Sequence, residues 1–311
     1  MWKRHFRGWT AVTTANEGIY GVSVRAPEAP TDRPHVASCG FIAGGKLDVS
    51  SLAKLSKKIS EPGCAWTVTL DRERYKILIL AEPPVKADEM DQSVRLAIST
   101  MLDYPVDNAD VAWMKIPTQS SQSNRPPHLY VVTTRHEHIA EFSTAFNQAK
   151  IPLQAVDVRE TAYRNIAALT GSPGEGTALL AVDAQGVQFT VTFQGELYLD
   201  RYVKEALFAQ GIDDAARERA FERVVLEVQR SLDFVNRTLP FIEINRVMLA
   251  PMPDKPGIRD YFANHIPVPV EDVVLSAAFD FSKTPELLLP ESQSSYFVAL
   301  GAALRFMDQS A

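Results

Sequence analysis

The turn Asp183-Ala184-Gln185-Gly186 lies between two apolar stretches and carries residue types that a phosphate site uses. An acid there could hold a metal ion, a glutamine could orient a water molecule, and a glycine lets backbone N–H groups approach an anion. Aspartate and glycine are also common in hairpin turns for local backbone reasons, and a phosphate needs several converging donors. The favoured interpretation is a structural turn, and residual nucleotide contact is the alternative.

Other side chains offer weaker chemistry. His136 and His138 flank Glu137, but at the start of a helix their side chains diverge, and no matching Cys or third His follows nearby. Cys39 and Cys64 are too far apart for a Cys-x-x-Cys pair and indicate a reducing compartment. The sequence contains no Gly-x-Ser-x-Gly, Walker or dinucleotide-binding glycine motif. We therefore expect no metal site and no catalytic residue.

The composition is that of an ordinary globular protein with an acidic balance. The 311 residues are 46% hydrophobic and 23% charged, and the formal net charge is −6. No broad basic face is expected, which argues against a nucleic acid partner. No segment approaches the roughly 18 consecutive apolar residues that span a bilayer. Residues 2–9 mix aromatic and basic side chains, which leaves open a peripheral membrane contact, although a frayed terminus is the favoured interpretation.

Apolar periodicity and turn residues predict an order of elements that occurs twice. Strands at residues 9–13, 19–24 and 36–42 precede a helix at 50–59. A second block has strands at 65–70, 75–80, 110–116, 128–134 and 152–156 and helices at 88–102, 137–150 and 160–169. The glycine-rich segment 171–176 is typical of a hinge. After it come strands at 178–182, 187–193 and 197–203, a helix at 214–236, a strand at 244–249, a helix at 255–265, a strand at 268–270 and a helix at 296–306.

This repeated strand-strand-strand-helix order describes an α/β fold of the actin/Hsp70/hexokinase-like type. In that fold two lobes flank an interdomain cleft, and the first hairpin turn of each half faces the cleft. The expected boundaries are residues 1–172 for the first lobe, with an inserted α/β subdomain at about 60–150, and 176–295 for the second lobe. Residues 296–311 are expected to form a C-terminal helix that returns to the lobe junction.

Several segments, in the same order along the chain, resemble the PilM/MshI family of actin-like type IV pilus biogenesis proteins. They include VDVRETAYRNIAAL, LDYPVDNADVAWMKIP, ALLAVDAQGVQFTVTFQGELYLDRYV and SYFVALGAALRF. The chain is most similar to MshI of the mannose-sensitive haemagglutinin pilus. The resemblance implies a cytoplasmic protein at the inner face of the cytoplasmic membrane. It also implies binding of the cytoplasmic tail of a PilN-like bitopic protein, in a groove on the first half, and links to other pilus assembly platform proteins.

Many members of that family bind ATP in the cleft, and two segments depart from the pattern that this needs. The family's first phosphate loop resembles G-x-D-x-G-[ST]. In the corresponding residues 11–18 of this chain, Thr13 or Thr14 stands where the acid is expected. The family's strand followed by Gly-Gly is replaced by a strand that runs into Pro251-Met252-Pro253, and proline has no N–H. These two departures from the family pattern predict that ATP and magnesium bind poorly or not at all. Any nucleotide contact is expected at Thr13, Asp183, Gln185 and Gly186.

Asp157, Glu160, Arg164 and Asn165 carry the closest match to the family. They could serve the partner groove or the cleft. The favoured interpretation is local: Asp157 or Arg159 caps or begins a helix, Glu160 favours the positive end of that helix, and Arg164 pairs with Glu160 at i,i+4 on a solvated face. For a partner peptide, the candidate sheet edges are the strands at 75–80, 111–116 and 129–133.

The expected function is therefore that of a scaffold rather than an enzyme. The alternative is an ATP-binding or weakly hydrolysing actin-like switch in the same assembly. A sugar-kinase-like enzyme is a third hypothesis, but it needs an intact phosphate loop, for which the sequence makes no good case.

Overall fold

The computed structural model describes residues 6–29, 31–44, 46–118, 126–183, 185–205, 207, 213–252 and 257–309. The strands are β1 (Gly8–Ala15), β2 (Gly18–Arg25), β3 (His35–Ala43), β4 (Cys64–Thr69), β5 (Tyr75–Ala81), β6 (Ala109–Ile116), β7 (His128–Arg135), β8 (Leu153–Asp157), β9 (Thr177–Val182), β10 (Val187–Phe193), β11 (Glu196–Val203), β12 (Val247–Leu249) and β13 (Val270–Asp272). The helices are α1 (Val49–Ile59), α2 (Met90–Ile98), α3 (His136–Gln148), α4 (Arg159–Thr170), α5 (Asp214–Thr238), α6 (Ile258–His265), α7 (Leu275–Ala278) and α8 (Pro290–Ala302).

Two five-stranded sheets share one topology. Their strand orders are β3-β2-β1-β4-β8 and β11-β10-β9-β12-β13. In each sheet the first three strands of the repeat are antiparallel neighbours, and the last two join in parallel. Parallel pairing requires a crossover, which α1 supplies before β4 and α5 supplies before β12. The duplicated strand-strand-strand-helix order is therefore confirmed.

Helices α4 and α8 lie between the two sheets and exchange sides. Helix α4 follows the last strand of the first sheet but contacts β9, β10 and β11 of the second, whereas α8 returns to β1, β2 and β4 of the first. The two helices also contact each other, so that α8 is buried on several sides. They approach closely at Gly301, where an added Cβ would lie 2.3 Å from the carbonyl oxygen of Ala162. The amide Nδ2 of Asn165 donates a 3.0 Å hydrogen bond to Gly301 O at the same place.

A separate three-stranded sheet, in the order β5-β7-β6, is inserted between β4 and β8. Helix α2 covers one face of it with Met90, Val94 and Ile98. Two elements within residues 60–150 belong instead to the first lobe. Strand β4 pairs with β1 in the first sheet, and α3 packs Phe142 and Phe146 into the core beneath that sheet.

The C-terminal part departs from the sequence prediction in its element limits. The final helix begins at Pro290, six residues before the predicted start at 296, and ends at Ala302. Proline has no N–H to satisfy and fits the first helical turn, where that group has no partner. The strand predicted at 244–249 is reduced to β12, and the predicted strand at 268–270 begins only at Val270. Helix α6 begins at Ile258, and residues 253–256 lie outside the described residues.

Of the aromatic side chains that the structure describes in the N-terminal segment, Trp9 is not available to a membrane. Trp9 lies in β1, is 4% exposed and belongs to the core between the sheets. Phe6 packs edge-to-face on it, with the ring centroids 5.8 Å apart. Residues 1–5, which include the third aromatic residue of this prediction, Trp2, lie outside the described part of the chain. None of the described helices has the length and apolar character needed to cross a membrane.

Candidate functional site

A cleft of about 740 Å³ separates the two five-stranded sheets. Both first hairpin turns face it, as the repeat predicts. Thr13 reaches it from the end of β1, and Asp183 and Gln185 reach it from the turn between β9 and β10. Three of the four sequence-predicted contacts therefore line one cavity. The fourth, Gly186, packs against the neighbouring strand β11.

The Asp183 carboxylate holds its own turn together. Its Oδ1 accepts hydrogen bonds from the backbone N–H of Gln185 at 2.7 Å and of Gly186 at 2.9 Å. Its Oδ2 lies 2.7 Å from Nη1 of Arg159. A phosphate loop must aim free N–H groups at its ligand. In this turn, two of those groups already donate to a carboxylate of the chain itself.

Gly186 is required by close packing in the turn. A Cβ added there would lie 2.5 Å from Val203 O and 2.6 Å from Tyr202 Oη. A side chain at position 186 would therefore separate the start of β10 from β11. Packing against β11 therefore explains the glycine at position 186 without any ligand.

The first hairpin turn has an acid beside it that the sequence analysis missed. Thr13 is 6% exposed, and the adjacent Thr14 donates its hydroxyl to the carboxylate of Asp71. Asp71 follows β4, in the loop that leads to the short 3-10 helix Arg72–Arg74. The loop lies at the carboxyl end of a parallel strand, which is where open α/β sheets place ligand contacts. That position could have identified Asp71 as a cleft residue from the sequence.

The arginines of the cleft are engaged by carboxylates of the chain. Arg74 Nη1 lies 2.7 Å from Glu141 Oε2, and its Nε lies 3.6 Å from Asp71 Oδ2. Arg159 is bound to Asp183 as described above. Triphosphate binding would have to compete with these internal ion pairs. Among the described residues, the occupied N–H groups of Gln185 and Gly186 fit a phosphate poorly, whereas Asp71 supplies an acid beside the first turn.

A buried polar cluster closes the back of the cleft. Glu160 is fully buried, and its Oε2 accepts a 2.7 Å hydrogen bond from Tyr75 Oη. The Arg72 guanidinium lies between two rings, 5.1 Å from the Tyr75 centroid and 4.8 Å from the Tyr202 centroid. Its Nε is 3.7 Å from Glu160 Oε1. Burial raises the pKa of Glu160 and, together with the charge of Glu160, raises that of Asp200 well above its ordinary value.

The predicted solvated pair of Glu160 and Arg164 is wrong. Both residues are buried, and Arg164 donates to Asn165 Oδ1 from Nε at 3.2 Å and from Nη2 at 2.8 Å. Asp157 does not cap α4, because the N-cap residue is Val158, but Arg159 does begin the helix, as the other half of the prediction states. Asp157 instead accepts from Thr67 Oγ1 at 2.8 Å and pairs with Arg305.

A second cavity, a groove of about 860 Å³, lies between the inserted sheet and the second lobe. Its wall from the inserted sheet includes Met114 and Ile116 of β6, and its wall from α4 includes Arg164, Asn165 and Ala168. The turn between β10 and β11, residues 194–196, closes one side. We call this cavity the β6 groove. Two of the four residues with the closest family match, Arg164 and Asn165, therefore lie beside one concave surface.

The strand order of the inserted sheet, β5-β7-β6, shows which of its strands are edges. The predicted edge at residues 129–133 is wrong, because β7 is the central strand, whereas β5 and β6 are outer strands. Residues 119–125, in the loop that joins β6 to β7, lie outside the described residues.

His136 Nδ1 lies 3.0 Å from Asp110 Oδ2. In the part of the chain that the structure describes, no group of three or more His, Cys, Asp or Glu side chains could hold a metal ion.

The chain is similar to solved structures over nearly its whole length. A chain of the PilM-PilN type IV pilus biogenesis complex is similar over 96% of this chain and 98% of its own length, with a TM-score of 0.73 and 17% sequence identity. The protein has an actin-like fold. Two further structures align with TM-scores of 0.49. One is the cytoplasmic domain of EpsL, an inner membrane component of the type II secretion system of Vibrio cholerae, at 11% identity over 79% of this chain and 83% of that chain.

The second is a Bacteroides thetaiotaomicron protein with an actin-like ATPase fold and unknown function, at 10% identity over 93% of this chain and 99% of that chain. No protein-family model matches the sequence, and no curated protein matches it. The likeness between structures is therefore a likeness of fold, and it agrees with the two-lobed α/β architecture predicted from the repeated element order.

Proposed function

We propose that this protein is a non-enzymatic scaffold of a type IV pilus assembly machine. It binds the cytoplasmic N-terminal peptide of a PilN-like inner-membrane protein and is held by that partner at the inner face of the cytoplasmic membrane. The observation that carries the proposal is the similarity in fold, over 96% of the chain, to a chain of a PilM-PilN complex. The motif resemblance supports a pilus of the mannose-sensitive haemagglutinin type and further contacts with other assembly platform proteins.

The β6 groove is the proposed peptide site. Extended peptides bind proteins by adding to a sheet edge or by filling an apolar groove, and this surface offers both. Strand β6 is an outer strand whose Met114 and Ile116 side chains line the cavity. Lys115 and Glu196 on its rim supply charges of both signs for the ends of a bound segment. A peptide there would contact the inserted sheet, α4 and the second lobe together.

The cleft is proposed to have lost its nucleotide. The Asp183 carboxylate accepts the N–H groups of Gln185 and Gly186, which a phosphate would otherwise need. Thr13 stands where the first turn is expected to carry an acid. An ATP-binding switch is the alternative, because both turns still face a cavity of about 740 Å³. Calorimetric titration with ATP and magnesium separates the two. Micromolar binding would replace the scaffold proposal with the switch.

Peptide binding is tested by calorimetry with the synthetic N-terminal peptide of a PilN-like protein and the full chain. We expect binding by the unmodified protein and its loss in Ala168→Arg, which places a long side chain in the β6 groove. Ala140→Arg, at an exposed position of α3, is the matched control and should bind as the unmodified protein does. Failure of the unmodified protein to bind any such peptide would refute the function. Equal binding by both variants would refute the location.

A further inference from the structure

Strand β5 is an uncovered edge of the inserted sheet. Its inner neighbour is β7, and within the described residues no further strand is hydrogen-bonded on its outer side. Natural edge strands are usually protected by charges along the edge, by proline or by a bulge. Strand β5 contains no proline, its register with β7 is regular, and it runs Ile-Leu-Ile-Leu-Ala from position 77 to position 81. Such an edge is suited to pairing with another strand.

Several exposed apolar side chains belong to the inserted subdomain that contains this strand. Nine large hydrophobic residues are exposed in the described part of the chain, and four of them lie between positions 79 and 101. They are Ile79, Val85, Leu96 and Met101. Ile79, in the middle of β5, is 47% exposed. Exposure of this kind, concentrated in one subdomain, marks an interaction surface.

The sequence of the edge is complementary to itself in the antiparallel direction. When two copies of β5 pair about Ile79, that residue faces its own counterpart, and Leu78 faces Leu80 twice. The same register places Lys76 of each copy opposite Glu82 of the other. Glu82 continues the ladder, since its N–H donates to Pro127 O at 2.8 Å. Cross-strand apolar pairs and opposite charges are the contacts that stabilise antiparallel strands.

We propose that two copies of this chain associate through β5, in an isologous dimer centred on Ile79. The two three-stranded inserted sheets then form one continuous six-stranded sheet. Because side chains alternate between the faces of a strand, Lys76, Leu78, Leu80 and Glu82 share one face. The two charge pairs therefore flank the leucine pairs and fix the register. A slip of the register would lose both charge pairs.

Both charges of this register already have a partner within the chain, and the test must allow for that. Lys76 Nζ lies 2.8 Å from Asp103 Oδ1, and Glu82 Oε1 lies 2.7 Å from Lys115 Nζ. Reversing either charge breaks one internal pair as well as the proposed contact between copies. Reversing both charges breaks both internal pairs but restores the contact between copies. Only pairing between copies predicts that the double variant recovers the dimer.

The experiment is sedimentation equilibrium of the full chain over a range of micromolar concentrations. The unmodified protein should form a dimer. Lys76→Glu alone and Glu82→Lys alone should each weaken the dimer by about tenfold or more, because two attractive cross-strand pairs become repulsive. The double variant should recover the dimer. An equimolar mixture of the two single variants should also form one, since positions 76 and 82 then carry opposite charges in both cross-strand pairs of the mixed dimer.

Two lysine substitutions complete the test. Ile79→Lys places like charges opposite each other at the two-fold axis and should give a monomer. Leu226→Lys changes a side chain that is 45% exposed on α5, in the second lobe, and should leave the dimer intact. A monomeric unmodified protein at all concentrations would overturn the proposal. A dimer that survives Ile79→Lys, or a mixture of the single variants that does not associate, would also overturn it.

Discussion

Replacing Gly301 with alanine tests the contact that joins the two lobes. The new Cβ would lie 2.3 Å from Ala162 O, about 1 Å inside the ordinary C···O contact distance. Because that oxygen belongs to the backbone, α4 and α8 must move apart. Overpacking of this kind costs about 1–3 kcal/mol. Weakening the buried 3.0 Å hydrogen bond from Asn165 to Gly301 O adds about 1–3 kcal/mol.

Helix propensity acts in the opposite direction, since alanine is favoured over glycine by about 1 kcal/mol within a helix. We therefore expect Gly301→Ala to lower the free energy of unfolding by about 1–5 kcal/mol, measured by urea denaturation with two probes. Gly174→Ala is the control: its φ is +81° and no atom lies within 4 Å of the added Cβ. Its cost is that of a left-handed backbone, about 1–2 kcal/mol. An unchanged or raised stability of Gly301→Ala would refute the close approach of the helices.

Three other substitutions give separate tests. Asp200 has a pKa raised first by burial and next by the charge of Glu160, so the folded protein keeps a proton that the unfolded chain loses above a pH of about 4. The free energy of unfolding should fall as pH rises towards that raised pKa, and Asp200→Asn should flatten the decline in a denaturation series across pH. Tyr75→Phe removes the buried 2.7 Å hydrogen bond to Glu160 and should cost about 1–3 kcal/mol in urea denaturation. Gly186→Ala places a Cβ 2.5 Å from Val203 O and should cost about 1–3 kcal/mol, seen as a lower melting temperature. Full stability of either of these two variants would contradict the packing described.

The duplicated architecture was predictable because its signals are local. Alternating apolar residues and tight turns predicted β1, β2 and β3 and their counterparts β9, β10 and β11, and the structure confirms this order. The final helix was placed late because residues 291–295 are polar, and no periodicity was visible before position 296. The arrival of both hairpin turns at one cleft followed from the repeat of element order.

The environment of α4 could not be read from its spacing. Glu160 and Arg164, four residues apart, have the pattern of a solvated helical pair. Helix α4 is instead enclosed by the second sheet and α8, so that these side chains find other partners. The use of the N–H groups of Gln185 and Gly186 by Asp183, and the role of Asp71, likewise depend on positions that turn composition does not specify.

The amino-acid sequence alone determined the repeated order of strands and helices and the turns between them, because each arises from contacts between residues close along the chain. Tertiary structure alone decided which polar side chains are buried, which donors are already occupied and which apolar strand lies at an edge. Strands β5 and β7 are similarly apolar, yet β7 is paired on both sides and β5 on one. Strand order is set by packing between distant segments, and that information is not contained in the local pattern of either strand.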